Sequence, residues 1–314
     1  MTARLLGIAS KGALLGACLA LSLALAACAG DDGDGGNGSE SITTGEPFVA
    51  AASVHVPQMQ GSATETGTID LSGISRGYVC VAAQNSDARL KFQVAKDEMS
   101  YNYDLPGDGT PLVVPLSMGE GTYRFRVMQN TSGNNYVELS AQSCDVVLES
   151  EFAPFLIPNV YCDFTENSQC VAQARKLTAS AQNQGDAVAA ICDYVVKNIA
   201  YETEKASQLK DASGYVPNPD ETLASGTGIC FDYASLGAAM LRSVGIPCKI
   251  ITGYVSPEDI YHAWIMVYID GTWKTGEFSV DRDTWSRVDL TFAASSKEEG
   301  LVGDGKTYTD RYVY

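Results

Sequence analysis

Cys230 and His262 are the two residues of this sequence whose types and settings could together perform covalent chemistry. Cys230 stands in Gly-Thr-Gly-Ile-Cys-Phe-Asp-Tyr-Ala (226–234), between a glycine loop and a run, Phe231 to Val244, whose small and apolar residues cover most of a helical circumference. That run reads as a buried helix, stopped by Gly245 with Pro247 just beyond. A thiol in the first turn of such a helix meets unpaired amide donors and the positive end of the dipole, and both favour thiolate. By itself a cysteine in an exported chain reads as a half-cystine. What sets Cys230 apart is the histidine that follows it, one of only two in the chain, His55 and His262. His262 opens a β-branched and aromatic run to Ile269, and Asp270-Gly271 then Thr272-Trp273 complete a hairpin signal, which predicts His262 at the start of a strand. A base at a strand end can face a helix terminus. With a later carboxylate, the set suits thiol catalysis: sulfur attacks an amide or ester carbonyl, the imidazole moves the proton, and the acid fixes the tautomer.

Five ordered blocks extend this pattern: Gly226 to Ala234, Leu241 to Pro247, Thr252 to Tyr254, His262 to Trp264, and Trp285 to Thr291. Together they resemble the transglutaminase-like core, the circularly permuted relative of the papain fold, over roughly residues 150 to 314. The resemblance implies a catalytic Cys230, His262 and acid, with the acid four residues after a tryptophan. Two positions meet that rule, Asp289 after Trp285 and Glu277 after Trp273. Asp289 sits in Trp-Ser-Arg-Val-Asp-Leu-Thr, close to the family's pattern, whereas Gly-Glu-Phe-Ser around Glu277 does not resemble it. Asp289 is therefore the expected acid and Glu277 the alternative; the former implies an inserted segment of about a dozen residues. The Cys230 N–H is the expected first oxyanion donor, with Tyr215 and Asn218 as candidates for a second. The resemblance implies either a peptidase or amidase, or a transglutaminase.

The elements that must position these residues come in two textures. From about Phe48 to Leu148, short β-rich runs (78–81, 90–94, 112–116, 122–127 and 136–139) alternate with turns such as Pro106-Gly-Asp-Gly, which predicts an all-β sandwich domain over 48–150. His55 at its entrance lacks a partner pattern and reads as structural. From Glu151 the pattern turns helical, with helices expected near Val171–Leu177 and Asp186–Ile199, a polar loop over Tyr201–Leu223, and a strand from Lys249 to Val255. The class is α+β, the transglutaminase-like domain occupying 151–314.

Residues 1–27 resemble a bacterial lipoprotein signal, with Arg4 and Lys11 ahead of an apolar run and Leu-Ala-Ala-Cys at its end. By that resemblance Cys28 carries lipid and anchors the protein to the outside of the cell membrane. Residues 28–47, rich in Gly, Asp, Ser and Thr, read as a flexible tether with a reach of roughly 25 Å. The chain carries 21 basic and 38 acidic residues, a net charge of -17 with no offsetting basic patch, which disfavours nucleic acid. The folded body holds seven cysteines, an odd number that leaves Cys230 unpaired if the others bridge. The other six allow 15 pairings; the preferred ones are Cys80 with Cys144, Cys162 with Cys170, and Cys192 with Cys248. No CxxC pair exists and histidines are few, so neither metal nor cofactor is expected. The expected partner is a peptide or protein, cell-wall peptide included. The rival reading is a non-catalytic surface binding or adhesion lipoprotein that keeps this core as scaffold.

Overall fold

Leu90, Phe92 and Val94 point inward and alternate with more exposed Lys91 and Gln93, the period-two pattern of a half-buried strand. In the computed structural model, which describes residues 47–210, 212–256, 260–270, 273–274, 279–280, 285–295 and 308–314, this strand belongs to a seven-stranded antiparallel region. Its members are β1 (Thr68–Asp70), β2 (Tyr78–Ala82), β3 (Leu90–Lys96), β4 (Met99–Leu105), β5 (Leu112–Pro115), β6 (Gly121–Ser132) and β7 (Asn135–Val146). They form two sheets, ordered β1-β2-β5 and β4-β3-β6-β7. Val79, Val81 and Val114 of the first share one apolar cluster with Phe92, Phe125 and Val127 of the second. The sequence reading passes over β4, whose inward Tyr101, Tyr103 and Leu105 are hidden among Asn102 and Asp104. Its hairpin with β3 turns through Asp97, held at φ 51 in the left-handed region that short turns demand.

Helices follow. α1 (Gln169–Thr178) and α2 (Gln184–Asn198) lie where the apolar spacing predicts them; Asn183 caps α2 by accepting from the Asp186 N–H at 2.8 Å, and Asp186 returns a bond from the Gln182 N–H. β8 (Ala200–Tyr201) leads into a stretch expected as one polar loop. That expectation is corrected: the stretch holds α3 (Thr203–Leu209) and α4 (Pro219–Ser225), each only seven residues and too short to display a helical period. The Asn218-Pro219-Asp220-Glu221 start signal, cap then proline then acids, was the local cue for α4.

β9 (Thr227–Gly228) pairs in parallel with β8 and delivers the chain to α5 (Cys230–Ser243), buried at every residue from Asp232 onward. Gly245, at φ 90, ends it as its sequence position requires. The remaining elements are β10 (Cys248–Val255), β11 (Ile260–Tyr268), β12 (Trp273–Lys274), β13 (Ser279–Val280), β14 (Trp285–Val288), α6 (Leu290–Ser295) and β15 (Tyr308–Val313). The main sheet runs β14-β11-β10-β15. Among the described residues the hairpin expected between β11 and Trp273 is replaced by other pairings: Trp273 of β12 pairs with Val280 of β13, and β11 pairs with β14. His262 is accordingly the third residue of its strand and lies opposite Gly253. A Cβ on Gly253 would sit 2.1 Å from the Thr309 carbonyl oxygen, so this glycine lets β15 close against β10. The buried Arg242 guanidinium donates to the carbonyls of Cys248, Ile157 and Tyr314 at 2.8 to 2.9 Å, joining α5 to the sheet and the C-terminus.

The fold is α+β, and one apolar cluster runs from the β-rich region through α1, α2 and α5 to β10 and β11. Among the described residues no helix is long and apolar enough to cross a membrane. Residues 1–46, with Cys28, lie outside the described residues. Cys80, Cys144, Cys162, Cys170, Cys192, Cys230 and Cys248 are all free thiols, so none of the three preferred bridges is formed. Cys80 and Cys144 stand in different sheets, on β2 and β7, while Cys162, Cys170, Cys192 and Cys248 are fully buried and pack as small apolar residues. The odd-count argument for Cys230 therefore lapses, and its position and exposure have to carry the case.

Candidate active site

Ile229 adopts an extended backbone, φ -98 and ψ 176, and Cys230 begins the helix. At this position the Cys230 N–H has no carbonyl behind it within α5 to accept its bond. The first turn is pinned from beneath by Asp232, fully buried, which accepts from the Ile229 N–H at 2.8 Å, from Lys205 Nζ at 2.8 Å, and from the Tyr215 hydroxyl. A buried carboxylate needs such partners to offset its lost hydration. A Cβ on Gly228 would meet the Asp232 Cβ at 2.6 Å, which gives the second glycine of the Gly-x-Gly-x-Cys stretch its physical reason.

His262 Nε2 lies 2.8 Å from Asp289 Oδ2, and the Cys230 side chain acts on the same ring. Phe292 stacks on the imidazole, with centroids 4.7 Å apart and planes 18° from parallel. Burial, the largest influence, pulls the His262 pKa down; hydrogen bonds and charges from Asp289 and Cys230 outweigh it and hold the value up at about 10. The imidazole is thus held toward its protonated form beside the sulfur.

Asp289 is 1% exposed and its two oxygens face four donors. Oδ1 accepts the N–H groups of Thr291 and Phe292, at 3.1 and 3.0 Å, and so caps α6; Oδ2 faces His262 and also accepts the Tyr308 hydroxyl at 2.9 Å. One residue therefore both starts a helix and orients the ring. Glu277, the alternative acid, lies outside the described residues.

Of the two candidates for the second oxyanion donor, one is already committed as a donor. The Tyr215 hydroxyl is bound to Asp232, whereas Asn218 accepts with its side-chain oxygen to cap α4, a role that does not use its amide N–H donors. Tyr201, on β8 opposite Gly228, is a neighbour that sequence reasoning passed over; burial and the Cys230 sulfur both push its phenol pKa up. Its place beside β9 depends on a two-residue parallel pairing that leaves no periodic trace. His55 stands apart from this group, in the β-rich region 3.3 Å from Arg76 Nη1. The other six thiols are pushed up by burial, Cys162 to about 11 and Cys80 to about 12. Cys230 and Cys144 are the two that are only half-buried.

The transglutaminase-like superfamily profile matches residues 171–290, an interval that opens in α1, closes one residue after Asp289, and contains the whole Cys230, His262 and Asp289 group. Residues 171–290 form a transglutaminase-like domain. Over 123 residues the chain is 34% identical to the protein YebA of Bacillus subtilis strain 168, spanning 33% of this chain and 16% of that protein. Over 145 residues it is 30% identical to the protein ML0607 of Mycobacterium leprae, spanning 39% of this chain and 47% of that one. The matched stretch is thus less than half of either relative. The structure of a proposed cysteine protease from Cytophaga hutchinsonii shares 17% identity, covers 76% of each chain and superposes with a TM-score of 0.40. In this interval Cys230 is set by a helix start, His262 by β11, and Asp289 by the end of β14 and the turn into α6.

Proposed function

We propose that this protein is a thiol acyl-transfer enzyme of the cell exterior, lipid-anchored through Cys28, that acts on amide bonds of peptides, cell-wall peptide among them. The observation that supports the chemistry is the buried His262–Asp289 pair, 2.8 Å apart, with Cys230 at the helix start acting on the same imidazole. The Cys230 thiolate attacks the amide carbonyl, forming an S–C bond, and the tetrahedral oxyanion is met by the Cys230 N–H and the Tyr201 hydroxyl. As the C–N bond breaks, His262 gives its proton to the leaving amine, which leaves a thioester on Cys230. His262 then takes a proton from the incoming water or primary amine, which attacks the thioester and restores the thiolate. Water as acceptor makes the enzyme a peptidase or amidase, and an amine makes it a transglutaminase.

Intact-protein mass after incubation with glutamine-containing and wall-derived peptides, with and without a primary amine, tests this. An adduct on Cys230 that turns over to acid, or to amide when the amine is present, is the expected result. No adduct and no turnover with any donor, from protein whose Cys230 is reduced, would leave the non-catalytic binding reading instead. Tyr201→Phe is expected to lower kcat by about 10² with KM little changed, the usual effect of removing one oxyanion donor. A kcat within twofold of the parent would remove Tyr201 from the oxyanion site.

A further inference from the structure

Asp289 Oδ2 is shared. His262 Nε2 approaches it at 2.8 Å, and the Tyr308 hydroxyl donates to it at 2.9 Å from β15, a strand that comes after the matched family interval. The Tyr308 ring is gripped on two sides. It meets Trp264 edge-on, with centroids 4.8 Å apart at 76°, and the Arg287 guanidinium lies 4.5 Å above it and 5.4 Å from the Trp264 ring. Pairing of Tyr308 with Val255 fixes its backbone in the same sheet that carries His262. The hydroxyl is thus delivered to the carboxylate by a ring with little freedom to move.

We propose that Tyr308 is a positioning residue of this active site: its hydroxyl fixes the rotation of the Asp289 carboxylate and divides the charge on Oδ2 between a phenol and the imidazole. The proposal rests on the acyl-transfer reading above and concerns how the acid is oriented and how its charge is shared rather than which residues touch substrate. A carboxylate oxygen that gives all its charge to His262 would hold the imidazolium proton too tightly, and a base is most effective when its pKa lies near the working pH. A second donor on the same oxygen draws off part of that charge. Burial and Asp289 push the Tyr308 phenol up while Arg287 pulls it down, so the donor keeps its proton. The groups facing the pair are Cys230 from α5, Arg287 from β14, and the Thr291 and Phe292 N–H groups of α6; Asp310 on β15 is held by Arg287 at 3.3 Å.

The test is Tyr308→Phe, which keeps the ring and its stacking and removes only the donor. Two readouts are independent of any substrate: the pH dependence of Cys230 alkylation by iodoacetamide, followed by peptide mass, and the ring-proton titration of His262 by nuclear magnetic resonance. The variant is expected to titrate His262 at higher pH than the parent and to shift the alkaline limb of the alkylation profile the same way. With a peptide donor, kcat should fall about tenfold with KM unchanged. Since the hydroxyl acts through Asp289, Tyr308→Phe should change neither readout further in an Asp289→Asn background. Superimposable titrations of parent and variant, with only a lower melting temperature, would reduce Tyr308 to a packing residue, and so would losses that simply add in the double variant. Failure of the acyl-transfer reading looks different: His262→Ala would then leave the parent's Cys230 alkylation profile unchanged, while the His262 titration still reports on Tyr308.

Discussion

Asp289→Asn lowers turnover by up to about 10⁴ in the expected outcome, the loss known for the acid-to-amide change in the serine-protease triad, with the fold retained. The structure supplies a reason that goes beyond loss of charge. Oδ1 accepts two backbone N–H groups, from Thr291 and Phe292, so an asparagine here must place its oxygen at that position to keep α6 capped. Its NH₂ group then replaces Oδ2 and points a donor at His262 Nε2. The imidazole can answer only by presenting a bare Nε2 and carrying its proton on the other ring nitrogen, which removes the cationic form that acts as proton donor to the leaving amine. The cap therefore selects the unproductive tautomer. Steady-state kcat of the variant, with circular dichroism to verify folding, is the measurement. If Glu277→Gln is the variant that loses activity and Asp289→Asn is not, the assignment of the acid is wrong.

The second large effect is that of His262→Ala. Loss of the general base and of the cation beside the sulfur is expected to reduce turnover by about 10² to 10⁴. The change also touches stability, more than a residue at a strand end would. His262 is 6% exposed and stacked on Phe292, so truncation leaves a void, a cost on the order of 2 kcal/mol. A pH signature separates the two roles. The folded imidazole pKa is raised, to about 10 against an ordinary 6.5, so its contribution is fully present below pH 6.5 and is lost as pH rises toward 10. Denaturant unfolding of the parent should therefore weaken with pH across that window, by an amount that the alanine variant lacks. Parallel stability curves for the two proteins would mean that His262 is not held protonated by Asp289 and Cys230.

The helix α5 was legible in the sequence because everything that makes it lies within it: apolar residues all around, a glycine loop before, Gly245 and Pro247 after. Cys230 at its first turn follows from that punctuation, as do β10 and β11 from their β-branched runs and the alternating strands of the N-terminal region. Asp289 was reached through motif spacing, and its pairing with His262 across 27 residues is a contact that only the sheet creates. The local hairpin signal at Asp270-Gly271 misled, since a turn propensity of about a kcal/mol yields to the burial of β14 beside β11. The cysteine count invited three bridges, but a bridge needs the fold to bring two thiols to bonding geometry, and all seven stand free. Tyr201 and Tyr308 had no local signature at all. A hydroxyl acquires a role from whatever another segment brings within about 3 Å of it, and here a two-residue parallel pairing and the closure of β15 over Gly253 decide that. Sequence patterns of period two or 3.6 encode which face of an element is buried. Which faces then meet is settled by the packing of the whole core.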